Sequence, residues 1–125
     1  MNLVLWILAG LLAALFLAAG AMKASQSKEK LGANPNMAWT GDFSAGTIKF
    51  IGLVEVLGAL GLILPAAFGI ATVLTPLAAT GLAVVMALAI VVHARRGETK
   101  ALPMNVVLLV LAAVVAWGRF GPYSF

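Results

Sequence analysis

Glu55 is the lone carboxylate within an otherwise apolar stretch, Phe50 to Pro65 (FIGLVEVLGALGLILP). An ionisable side chain in a membrane span is expensive to place, so it is a functional candidate by default and calls for a partner. A carboxyl removed from water with no partner is favoured in its neutral form, which donates a hydrogen bond or carries a proton. Beside Lys23 or a protonated His93 the ionised form is favoured instead. A Glu55–His93 pair could exchange protons near physiological pH, where imidazole titrates. Glu55 and His93 are therefore the candidate catalytic residues, and Lys23, Gly52, Glu55 and Asn105 form the candidate ligand-binding set. Small neighbours on the Gly52, Glu55, Ala59 face leave room for a flat or slender ligand. The same residues admit a plainer reading: Glu55 closes an interhelical bond, Lys23 and His93 meet headgroups, and Asn105 caps a helix after Pro103.

The elements that must position this set follow from composition. The chain has 125 residues, 63% of them hydrophobic and only 10% charged, which is far outside the soluble globular range. Its length implies one domain, 1–125. The net charge of +4 does not indicate nucleic acid, because the basic residues lie between apolar segments and are not interleaved with aromatics on one face. With no cysteine there is no disulfide, thiol redox centre or thiolate-ligated metal. One histidine and four acidic residues argue against a metal site built from this chain alone. The partner that composition implies is the lipid bilayer, and no intrinsic cofactor is evident.

Four segments can cross a hydrocarbon core of roughly 30 Å at about 1.5 Å per residue: about Leu3 to Met22, Thr47 to Pro65, Phe68 to His93 and Leu102 to Gly118. They are continuously apolar, without the alternation of a membrane barrel, so the expected fold is an all-α integral membrane four-helix bundle with antiparallel connections. The first segment lacks a basic n-region and is too long for a signal peptide, so it is expected to be a retained span. Gly10, Ala14 and Ala18, spaced every four residues, are expected to let the first helix pack closely, as are Gly52, Gly58 and Gly61 on the second. Pro65 is expected to end the second helix and Pro76 to kink the third. The one long loop, 23–46, contains the Asn34-Pro35 step, which argues against continuous helix. Its Met37, Trp39 and Phe43 are expected to lie back on the bundle or the lipid interface as a potential lid.

Basic-residue counting sets the orientation. The first and third connections carry Lys23, Lys28, Lys30, Lys49, Arg95, Arg96 and Lys100, against Arg119 alone on the other side, so these connections are expected in the cytoplasm and both termini outside. Glu55 then lies roughly 12 Å below the cytoplasmic boundary, at the end where Lys23, His93 and Asn105 also fall. Arg119 is expected to anchor the far interface with Trp117 and Tyr123.

At these residues the chain resembles the DoxX-like family of small four-helix membrane proteins. The resemblance is carried by AAGAMK closing the first span, KFIGLVEVLGALGLILP around Lys49, Gly52 and Glu55, the run to His93, Asn105 opening the fourth span, and GRFGPYSF. It implies a four-helix bundle in a bacterial cytoplasmic membrane. Members are linked to quinone-coupled sulfur oxidation, to membrane redox complexes and, in distant relatives, to assembly of other membrane proteins. Three functions are thus expected in order: a site for a lipophilic ligand such as a quinone, with any redox step needing a partner protein; a non-catalytic assembly or partner subunit; and a small transporter or proton pathway, which would need a homo-oligomer.

Overall fold

The computed structural model describes residues 1–33 and 35–125, and in it the chain is helical, with no strand among the described residues. Four long helices, α1 (Asn2–Ser25), α3 (Ala45–Phe68), α4 (Leu74–Arg95) and α5 (Leu102–Phe120), are joined by a short α2 (Lys28–Gly32), a 3-10 segment (Pro35–Asp42) and tight turns. The shortest of the four has 19 residues, about 28 Å at helical rise, so each can cross a bilayer. The helices form a ring in which α1 packs chiefly on α3 and α4 on α5, with α3 against α4 and α1 against α5 closing it. The chain is a multi-pass membrane bundle. Only 22–28% of the most apolar stretch of each long helix is buried inside the protein, so most of its Leu, Val and Ile side chains face outward, as a lipid solvent requires.

The inward stripe of each helix meets in one core: Leu12 and Phe16 from α1, Ala59 and Leu62 from α3, Ala79, Leu82 and Met86 from α4, and Ala112 and Val115 from α5. The small-residue stripe expected to pack α1 faces the other way. Gly10, Ala14 and Ala18 are exposed, because the core is filled by the large side chains of the Leu5, Leu12, Phe16 face. The close approach occurs at Gly20, where an added Cβ would lie 2.6 Å from the carbonyl oxygen of Gly52. On α3 the expectation holds: Gly52 meets α1, Gly58 meets Leu82 and Gly61 meets Ala78.

The two prolines behave differently from expectation. Pro65 lies inside α3, which runs on to Phe68 and stops at Gly69 in the left-handed conformation (φ 66°), the usual glycine stop signal. A proline here removes the N–H that would bond the Gly61 carbonyl. Thr75 Oγ1, 3.5 Å from Gly61 O and 3.2 Å from Leu62 O, shares its one proton between the freed carbonyl and its neighbour. Pro76 sits in the first turn of α4, where backbone N–H groups have no intrahelical acceptor anyway. The reason for a kink therefore disappears.

The long connection folds back on the bundle. Ser27 caps α2 by accepting from Lys30 N, and Ser44 caps α3 by accepting from Thr47 N. Between these caps Leu31, Met37 and Ile48 form a small second core against which Met22, Trp39 and Phe43 pack. The Asn34-Pro35 step at Asn34 and the side chain of Lys28 lie outside the described residues.

Candidate functional site

Glu55 lies on the buried face of α3 with Ile48, Gly52, Ala59 and Leu62, ten residues into the helix, about 15 Å from its start. It is 1% exposed. Its partner is Lys23, whose Nζ donates to Oε1 at 2.6 Å. Gly52 makes this possible. A Cβ there would fall 2.8 Å from Lys23 Cβ, so only glycine lets the lysine stem lie against α3 and run one turn inward to the carboxylate. Lys23 thus buries its stem and turns its head toward Glu55 rather than up to the interface. The bond is charge-assisted and short, the strong class of hydrogen bond.

Trp39 covers the pair. Lys23 Nζ lies 5.7 Å from its ring centroid, a cation–π contact, and the same ring meets His93 edge-on at 6.4 Å and Phe43 at 5.8 Å. His93 is buried at the end of α4, and its Nδ1 is 3.0 Å from Glu98 Oε1, which also accepts from Arg96 Nε at 3.0 Å. Charge is therefore matched twice at this end, once at Lys23–Glu55 and once around Glu98, with Trp39 between.

Of the residues expected to converge, Lys23, Gly52 and Glu55 do so. His93 meets Trp39 edge-on and, among the described residues, takes Glu98 as its own partner. Asn105 is a helix residue of α5, which starts at Leu102 without a side-chain cap, so it does not cap the helix. Its Nδ2 is buried with no hydrogen-bond partner among the described residues. The room expected beside Gly52 is filled by the α1 backbone, because Gly20 and Gly52 bring the two helices into contact. A shallow apolar groove of about 200 Å³ does open between α1 and α3, lined by Ala13, Ala14, Leu17, Ala59, Leu60, Ile63 and Leu64; it starts one turn beyond Glu55, at Ala59.

Trp39 and Glu98 are the members that sequence reading missed. Trp39 was legible only as a loop aromatic that should fold back. Glu98 follows His93 by five residues across Gly97, whose φ of 72° makes the tight turn, and the pattern HARRGE was the available signal. At the opposite end Arg119, expected as an anchor with Trp117 and Tyr123, is turned inward at the last turn of α5. It is 4% exposed and donates from Nη1 to Asn2 Oδ1 at 2.6 Å and to the Tyr123 carbonyl at 2.9 Å.

The family model described as the DoxX-like family matches residues 7–115, which include Lys23, Gly52, Glu55, His93 and Asn105. No curated protein and no solved structure matches the chain.

Proposed function

We propose that this chain, which belongs to the DoxX-like family, is a non-catalytic membrane subunit that docks to and helps assemble a larger membrane complex. The observation that carries this reading is the Lys23–Glu55 pair closed beneath Trp39. Each charge already has its partner, and α1 fills the space beside Gly52. Such a pair fixes the register of α1 on α3, the best-attested role of buried polar groups. The outward apolar faces are then available to other membrane proteins or to a second copy of the chain. The family's links make a redox complex the expected setting, with electron carriers supplied by the partner.

The groove at Ala59 supports a second reading, in which a quinone or similar lipophilic ring enters between α1 and α3 and is met by the Glu55 carboxyl. That requires Glu55 to turn from Lys23, and in this reading Glu55 and His93 would carry protons while Lys23 and Asn105 bind. One experiment separates the two. The charge-free variant Lys23→Met/Glu55→Leu and the wild type are purified from native membranes, and co-purifying proteins and quinones are measured by mass. The assembly reading expects the same protein partners in both. Quinone carried by the wild type and lost in the variant would replace it with the ligand reading.

We place the chain in a bacterial cytoplasmic membrane, with the α1–α3 and α4–α5 connections in the cytoplasm and both termini outside. The support is the clustering of seven basic residues at one end of the bundle. The chain has no cysteine of its own, so single cysteines report orientation cleanly. Ser124→Cys should react with an impermeant maleimide in intact spheroplasts and Thr99→Cys only after permeabilisation; the reverse pattern inverts the topology.

A further inference from the structure

We infer that the recess beside Arg119, at the end of the bundle away from Glu55, is a binding site for a phosphate oxyanion. Arg119 is a buried cation with no carboxylate at ion-pair distance among the described residues. A charge so placed calls for a counter-charge.

The guanidinium is already oriented. Both N–H bonds of Nη1 are used, on Asn2 Oδ1 and the Tyr123 carbonyl, while its Cζ lies 4.0 Å from the Phe125 ring centroid and 5.8 Å from that of Trp6. These contacts fix the plane of the group. They leave the Nε–Nη2 edge without a protein acceptor among the described residues, and that edge presents the two parallel N–H bonds that grip phosphate in bidentate fashion. Arg119 lines a recess of about 240 Å³ with Thr72, Val73, Phe120, Ser124 and Phe125. The hydroxyls of Thr72 and Ser124 add two neutral donors, and among the described residues no acidic side chain lines the recess.

Position sets which phosphates can reach the recess. The recess lies at the last turn of α5, beside the exposed Trp117 and Tyr123, whose rings meet edge-on at 6.0 Å. Aromatic rings of this kind mark headgroup depth, where the phosphodiester of an anionic lipid and free phosphate from solution both have access. The site does not depend on the assembly role proposed above.

The test compares wild type with Arg119→Lys, which keeps the charge but not the fork, and with Thr72→Val/Ser124→Ala, which leaves the Arg119 contacts intact. Native mass spectrometry measures retained phosphatidylglycerol against phosphatidylcholine, and thermal melting in detergent is followed with inorganic phosphate. A lipid site is expected to retain phosphatidylglycerol in the wild type and to lose at least about tenfold of that retention in both variants, the worth of one charged hydrogen bond. Stabilisation of the wild type alone by inorganic phosphate, without lipid retention, supports the same site with a soluble anion. Equal lipid retention and equal phosphate response in all three proteins overturn the inference.

Discussion

Lys23→Met should destabilise the detergent-solubilised chain by about 3–5 kcal/mol, the cost of stranding one member of a buried ion pair. The effect is large because Glu55 is 1% exposed and Lys23 is the one cation within ion-pair distance of it among the described residues. Glu55→Leu should cost less, because the freed ammonium, 11% exposed, can extend its flexible stem toward the interface. The double variant Lys23→Met/Glu55→Leu should recover most of the loss, since replacing a buried pair with apolar side chains is often close to neutral. Reversible unfolding of the four proteins gives the coupling energy directly. A coupling near zero would mean that the pair does not hold α1 on α3, and the assembly reading would lose its main support.

Gly52→Ala is the second change with a large expected effect. Its methyl would lie 2.6 Å from Gly20 O and 2.7 Å from Ala24 N, both backbone atoms that cannot rotate away. The helices must separate, at a cost near the upper end of overpacking, about 3 kcal/mol. Separation also carries Lys23 away from Glu55, so Gly52→Ala and Lys23→Met should be less than additive. Gly10→Ala and Gly81→Ala are the controls: open space surrounds both positions, and each should stabilise slightly, by up to about 1 kcal/mol, because alanine is the better helix former. Equal effects at Gly52 and Gly10 in the same melting assay would show that helix propensity, not contact, decides.

The spans were legible in the sequence because lipid demands continuous apolar runs, and depth counting along antiparallel helices was enough to bring Lys23 to Glu55. What counting along an axis does not give is rotation about it. Gly10, Ala14 and Ala18 carry a convincing packing period yet face outward, since the turn of α1 is set by where Leu12 and Phe16 find a core. His93 falls at the right depth but takes Glu98, a choice made by a tight turn at Gly97 rather than by the span. Pro65 was misread as a stop because the compensating hydroxyl, Thr75, comes from the next helix. Arg119 was read by its boundary position, whereas its burial depends on Asn2 and Tyr123 closing around it.

The order of the ion pair along the chain bears on how the protein is made. Lys23 precedes Glu55 by 32 residues, so the ammonium is synthesised before the carboxylate. A charged residue at the centre of a lone helix opposes insertion by roughly 2.5–3.5 kcal/mol. Because the two charges meet between neighbouring helices, that penalty need never be met by α3 alone: α1 and α3 can enter the bilayer as a hairpin whose charges cancel on entry. The bond that holds the finished bundle is thus also available as a chaperone supplied in cis to its own second span.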